Sequence, residues 1–199
     1  MANIFDLLKI VRGRPSGLAE SIRFEGLLRV RRLPEDWTPE QYRYWWLPEV
    51  DDKGHLLHPA RISEREKARY TEVESHNQLM VAGRTELLTF VGASGGSTTP
   101  FGKYLAIGTG VLQATSPTDT QLVNEVYRVL QSAFTVQGSQ VDLNFQIPAA
   151  SAQVVMTEAG LFGGSASGTA NSGTLCTHVL FSYTKGNYSI SCDYLITLI

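Results

Sequence analysis

From residue 103 to residue 199, apolar and polar residues alternate with the period of two that is typical of half-buried β-strands. This alternation predicts six strands, at residues 103–107, 126–137, 139–147, 153–162, 174–183 and 188–198. Segments rich in Gly, Ser and Thr lie between several of them and are typical of turns and exposed loops. Six antiparallel strands joined in this way predict a mainly β fold, with an antiparallel β-sandwich in the C-terminal part of the chain.

The last two predicted strands show the clearest alternation. The sequence Thr-Lys-Gly-Asn at residues 184–187 is a hairpin turn signal, and it predicts that Tyr183 pairs with Tyr188. In that register Cys192 lies on the apolar face and Cys176 lies on the other face, so the two sulfur atoms cannot form a disulfide. We therefore predict two free thiols, which fits a protein made in a cytoplasm.

The first part of the chain lacks this alternation, and we predict a partly helical, extended N-terminal arm over residues 1–76, followed by a helix and sandwich domain over residues 77–199. Thr38 followed by Pro39 is a typical helix start. The sequence Ser-Glu-Arg-Glu at residues 63–66 is a capping box that predicts a helix to about residue 73. A further helix is predicted at residues 77–90, whereas residues 18–33 fit a helix or a strand.

Charge is distributed unevenly along the chain. Residues 1–90 contain 14 Lys and Arg and 14 Asp and Glu, whereas residues 91–199 contain 3 and 5. A surface so poor in charge is covered either by uncharged polar residues or by other subunits. The net charge of −2 gives no electrostatic reason to expect nucleic acid or an anionic membrane as a partner. We find no signal-peptide pattern and no apolar run of the roughly 20 residues that cross a bilayer.

Three segments resemble sites that carry chemistry, and each has a simpler interpretation. Ser94 lies in Gly-Ala-Ser-Gly-Gly, which has the letters of a nucleophile elbow, and Asp142 and His178 could complete a triad. No helix start follows Ser94, so we interpret the segment as a linker. The acids and histidines of residues 51–58 form an incomplete metal-ligand set, and residues 108–110 lack the third glycine of a dinucleotide-binding loop. The sequence therefore predicts no enzyme, no cofactor and no metal.

The most aromatic segment of the chain is the strongest candidate for partner binding. A local core, a carbohydrate platform and a docking anchor all use such residues, but few aliphatic residues accompany them here. Arginines that precede this segment suit salt bridges between subunits. We therefore predict that the following residues bind a partner: Trp37, Tyr42, Tyr44, Trp45, Trp46, Arg29, Arg31 and Arg32.

Two motifs give the second part of the chain a family resemblance. The first motif begins with Ala-Ile-Gly-Thr-Gly at residues 106–110. It continues with Thr-Asp-Thr-Gln-Leu at residues 118–122, followed by Glu125 and Arg128. The second is Thr-Glu-Ala-Gly-Leu-Phe at residues 157–162. Together they resemble the head-proximal or connector domains of tail-fibre, collar and related virion proteins of tailed bacteriophages. The resemblance covers about residues 77–199, and residues 1–76 contribute nothing to it.

The resemblance implies a β-sandwich used for assembly, without a catalytic site. The implied structural residues are Gly108, Thr109, Gly110, Glu125, Arg128, Glu158, Gly160 and Phe162. The implied protein is a virion adaptor, neck, tail-fibre-attachment or tail appendage subunit, with other virion proteins and copies of itself as partners. A capsid decoration protein and a host-surface carbohydrate-binding module are the alternatives. We further predict that Glu158 bonds the turn at residues 108–110.

Overall fold

A computed structural model describes residues 24–51, 56–92, 101–111 and 114–199. Nine strands form one antiparallel sheet in the order β6-β5-β9-β10-β4-β1-β11-β8-β7. In chain order they are β1 (Phe24–Arg32), β4 (Thr71–Leu79), β5 (Tyr104–Gly108), β6 (Glu125–Leu130), β7 (Ala133–Gln137), β8 (Gln140–Ile147), β9 (Val155–Gly163), β10 (Thr174–Thr184) and β11 (Ile190–Leu198). The predicted mainly β, antiparallel class is confirmed.

The remaining elements are short and lie mostly between β1 and β4. They are the strand pair β2 (Glu49–Val50) and β3 (Leu56–His58), the helical turn α1 (Pro39–Gln41) that continues as a π-helical turn through Trp46, and helix α2 (Glu64–Lys67) that continues as a 3-10 turn through Tyr70. Helix α3 (Val81–Gly92) follows β4. The predicted capping box at Ser63 is present, and the predicted helix start at Thr38 also forms a capping box.

The sheet curls so that its two halves face each other across one apolar core. Leu105 and Leu161 come from one half, and Phe145 and Tyr194 come from the other half. All four side chains are buried in the same cluster, and burial of such residues is the main favourable contribution to folding. The half-barrel shape is therefore less clearly divided into two layers than the predicted sandwich.

A bend in the chain joins the two ends of this sheet. The strand predicted at residues 126–137 is in fact two strands, because β6 pairs with β5 whereas β7 pairs with β8. The bend lies at Gln131 and Ser132, whose backbone N–H groups donate to Lys103 and Asn144 respectively. Corners of this kind let one strand take part in both halves of a curled sheet.

The predicted hairpin between residues 174 and 198 is wrong. β10 pairs with β9 and β4, and β11 pairs with β1 and β8, so two other strands lie between them. The alternation correctly placed Val179, Phe181 and Cys192 in the core, but a period of two contains no information about the neighbouring strand. Cys176, predicted on the other face, is buried in the same core, because the register of β10 shifts between Leu175 and Thr177. The free thiols are nevertheless confirmed, since both cysteines are buried and unbridged.

The predicted arm also needs correction within the described residues. β1 and β4 are inner strands of the sheet, and the predicted boundary at residue 76 falls inside β4. The helix predicted from residue 77 begins at Val81, and the helix predicted to about residue 73 ends as an α-helix at Lys67. Residues 71–77 instead pair with β1, and residues 78 and 79 pair with β10, because tertiary pairing overrides local helix signals.

Candidate functional site

Glu158 lies at the point where the two motifs of the resemblance meet, which we call the motif junction (Glu158 with its partners Gly110, Val123, Asn124 and His178). The Glu158 carboxylate is buried and accepts three backbone N–H bonds, from Gly110 at 3.1 Å, Val123 at 3.0 Å and Asn124 at 2.9 Å. Hydrogen bonds to a charged acceptor are stronger than neutral ones. The predicted bond between Glu158 and the turn at residues 108–110 is confirmed.

The glycines of the first motif leave space for this carboxylate. A Cβ atom added to Gly108 would lie 2.4 Å from Glu158 Oε1, and one added to Gly110 would lie 2.5 Å from the same atom. The backbone N–H of Thr109 donates to the Asn124 carbonyl at 3.0 Å, and the Thr157 hydroxyl donates to the Gly110 carbonyl at 2.6 Å. The Gly-Thr-Gly turn is thus bonded to residues of both motifs.

A buried ion pair between Arg128 and Glu125 joins the same region to the long loop between β9 and β10. The Arg128 guanidinium binds both carboxylate oxygens of Glu125, at 2.7 and 2.8 Å, and both side chains are almost fully buried. Arg128 also donates to the Ser172 carbonyl at 2.9 Å and stacks over the Phe162 ring at 4.1 Å. The glycine-rich connection between β9 and β10 is therefore held against the sheet by the pair.

The second motif also contains a glycine where β9 and β10 approach closely. A Cβ atom on Gly160 would lie 2.6 Å from a methyl group of Leu175 and 2.9 Å from the Thr177 carbonyl. The motif residues described above therefore all make contacts within this chain.

His178 was missed as a structural residue of the junction. Its Nδ1 atom lies 2.9 Å from Asp119 Oδ2, and its Nε2 atom lies 3.1 Å from Glu158 Oε2. A catalytic base needs a free ring nitrogen that faces a nucleophile, and here each nitrogen faces a carboxylate. The imidazole ring thus connects Asp119 of the first motif to Glu158 of the second motif. Ser94, the serine of the triad considered from the sequence, lies outside the described residues. No sequence pattern marked His178, because Asp119 and Glu158 are distant from it in the chain.

Most of the predicted partner-binding aromatic residues pack within the chain. Tyr42 and Trp46 are buried on the outer face of the sheet, opposite the main core. The Trp37 and Trp46 rings meet edge-on, with their centroids 5.9 Å apart. The Tyr42 hydroxyl forms a 3.1 Å hydrogen bond with Ser191. We call this group the aromatic cap, and its members are Leu33, Trp37, Tyr42, Trp46, Leu47 and Ile62.

The predicted arginines also form ion pairs inside the chain. Arg31 is buried and binds Asp193 at 2.5 Å and Glu64 at 3.1 Å. Arg29 pairs with Glu74. Arg32 pairs with Glu35 and stacks over the Tyr188 ring at 4.0 Å.

Two of the predicted aromatic residues remain accessible. Tyr44 is 54% exposed and Trp45 is 43% exposed, and their rings meet edge-on at 5.0 Å. The Arg61 guanidinium stacks over Tyr44 at 3.9 Å, and Leu57 is also exposed in the nearby strand β3. We call Tyr44, Trp45 and Arg61 the exposed aromatic patch. It is the part of the predicted docking segment that another molecule could contact.

The two cysteines offer no nucleophile at neutral pH. Burial raises the pKa of the Cys176 thiol to about 12, and burial also raises the pKa of Cys192. A thiol reacts as its thiolate, which is scarce under these conditions. Among the described residues no three His, Cys, Asp or Glu side chains are grouped to hold a metal ion, and Asp52 and His55 of the weak candidate set lie outside them.

Comparisons with known proteins add no relative to this picture. No family model matches the chain, and no curated protein or solved structure matches it. In the described residues, no helix combines the length and the apolar character needed to cross a membrane.

Proposed function

We propose that this chain is a structural protein of a tailed-bacteriophage virion, an adaptor, neck, tail-fibre-attachment or tail appendage subunit that joins virion parts. The observation that supports this proposal is the motif junction. The two sequence stretches that carry the resemblance are distant in the chain, yet they meet at Glu158, as expected if they belong to one inherited structural unit. The charged residues of both motifs bond to turns and loops of the same chain.

The exposed aromatic patch is the surface that we assign to contact with a neighbouring virion subunit. Tyr and Trp are enriched at the centres of protein interfaces because they bury a large area with few rotatable bonds. Tyr44 and Trp45 lie between Tyr42 and Trp46, two buried residues of the aromatic cap, so the surface is held by a packed base. Assembly of several copies on a symmetric particle site is the expected arrangement.

Mass spectrometry of purified particles tests the proposed role directly. We expect the chain in the particle at a fixed copy number, and we expect that deletion of its gene leaves heads and tails unjoined or lacking an appendage by electron microscopy. Complementation with Tyr44→Ser and Trp45→Ser should abolish incorporation. Val155→Ser, at an exposed apolar residue of β9, is the control and should be incorporated normally. Particles that lack the chain, or that are complete and infectious without it, would contradict the proposal.

A further inference from the structure

A cavity of about 280 Å³ lies between the sheet and residues 56–67, which run from β3 to α2. This volume corresponds to roughly nine water molecules and is comparable to one small organic ring. Polar side chains from four elements line it, and these are Arg31, Glu64, Lys67, Thr135, Gln140 and Asp142. The cavity shares no lining residue with the motif junction or with the exposed aromatic patch.

Asp142 is the unusual residue of this wall. It lies directly opposite Thr135 on β7 and Leu195 on β11, both of which also line the cavity. Asp142 is partly exposed as a residue, but its Oδ1 atom is fully buried and accepts no hydrogen bond from any residue that the structure describes. A buried polar group without a partner costs stability, so a protein that retains one has a reason that internal packing does not supply.

The other charges of the wall are already paired. Arg31 is bonded to Asp193 and Lys67 is bonded to Glu64 at 3.0 Å, and both of these cations are buried. Arg29, the third cation of the wall, is bonded to Glu74. A small anion would gain little from these occupied cations and would be repelled by Asp142. A metal ion is disfavoured because three cationic side chains, Arg29, Arg31 and Lys67, share the wall.

We propose that this cavity binds a neutral polyhydroxylated ring, a single monosaccharide unit, with one of its hydroxyl groups donating a hydrogen bond to Asp142. A sugar hydroxyl both donates and accepts, so it can bond to the carboxylate and also to the Thr135 hydroxyl or the Gln140 amide. Apolar side chains complete the lining and suit the C–H face of such a ring, and these include Pro48, Pro59, Ile62 and Leu195. The site does not depend on the proposed role in assembly.

The ionisation of Asp142 supports a hydroxyl ligand. Burial and the negative charge of Asp193 raise the pKa of Asp142 to about 7, and Lys67 and Arg31 oppose this rise. Near neutral pH the group is therefore present both as a carboxylate that accepts and as an acid that donates. A hydroxyl group pairs with either form, whereas an ammonium group pairs well only with the carboxylate.

Ligand-observed saturation-transfer NMR on the full chain tests the proposal. The probes are glucose, galactose, mannose and N-acetylglucosamine, with glucosamine and glucuronate as charged analogues. We expect saturable binding of at least one neutral sugar, weakened about tenfold or more by Asp142→Asn, because the amide replaces a strong acceptor by a weaker one. Asp36→Asn, the same change at an exposed acid outside the cavity, should bind like the wild type.

The α- and β-methyl glycosides separate two sources of the ligand. Binding of a glycoside indicates the terminal unit of a glycan, whereas binding of the free sugar alone indicates a free monosaccharide. Thr135→Val removes one hydroxyl group from the wall, and it serves as a second test if Asp142→Asn does not fold. The proposal is overturned if the folded wild type binds no neutral sugar, if both variants bind as the wild type does, or if a charged analogue binds more tightly than its neutral parent.

Discussion

Replacing Asp142 by Asn removes a titratable carboxyl group from the cavity wall while keeping the size of the side chain. The groups packed around it come from three elements: Asp193 on β11, Glu64 and Lys67 on α2, and Arg31 on β1. Burial and the two acids raise the pKa of Asp142 to about 7, and the two cations lower it. The folded protein therefore holds this proton more tightly than the unfolded chain does.

The direction of the resulting pH dependence follows from proton linkage. In the unfolded chain the group titrates near its ordinary value of 3.8, so between about pH 4 and pH 7 the folded state binds more protons than the unfolded state. The contribution of protonated Asp142 to the stability of the fold is fully present below pH 4 and is lost as the pH rises through 7. The full difference between the folded and unfolded pKa values corresponds to about 4 kcal/mol of unfolding free energy. Because solvent in the cavity screens this half-buried side chain, we expect a change of about 2 kcal/mol.

Urea unfolding followed by circular dichroism at several pH values from 4.5 to 8 measures this effect. The difference in unfolding free energy between Asp142→Asn and the wild type should increase by about 2 kcal/mol toward pH 8, in favour of the variant. Every other acid titrates in both proteins, and Asp36→Asn controls for the loss of one exposed charge. A difference that stays constant over this range would refute the argument.

Three further substitutions test the polar and close-packed contacts by the same unfolding assay. Glu158→Gln should destabilise the fold by about 3 kcal/mol, since an amide cannot accept all three backbone N–H bonds; a cost below 1 kcal/mol would contradict the motif junction. Arg31→Gln should cost about 3 kcal/mol because it leaves a buried carboxylate unpaired, whereas Arg32→Gln, at an exposed pair, should cost less than about 1 kcal/mol. Gly83→Ala should destabilise by about 1–3 kcal/mol, against the usual helix preference, because the new Cβ would lie 2.2 Å from the Cys176 carbonyl; a stabilised variant would exclude that clash.

The sequence predicts the strands of the second half of the chain well, because apolar and polar residues alternate along them with the period of two that is typical of strands. At the end of β10, for example, Phe181 and Tyr183 are buried whereas Ser182 and Thr184 are exposed. The helix start at Thr38 and the capping box at Ser63 were predicted because their hydrogen bonds join residues three apart. The bond from Glu158 to the turn at residues 108–110 was found by a different route, since a solitary acid among uncharged strands needs a partner. In each of these cases a local or compositional signal was sufficient.

Other features depend on pairing between distant segments. β1 carries four arginines or acids among nine residues, which suggested an exposed arm, but Arg31 is buried because Asp193 lies on the adjacent strand. Likewise, Tyr42 is buried against a polar face of the sheet, where its hydroxyl group bonds to Ser191, 149 residues further along the chain. The unpartnered carboxylate of Asp142 has no local sequence signal at all.

The position of β1 and β4 has a consequence for synthesis of the protein. These two strands pair with each other, but their other neighbours are β11 and β10, which are translated last. Until the ribosome has released those residues, the early pair exposes two unpaired edges, which are the sites where strands aggregate. Contacts this distant in the chain also slow folding. A chain cut short before β11 would therefore lack the neighbour of β1, and quality control by chaperones and proteases would act on it before any partner could.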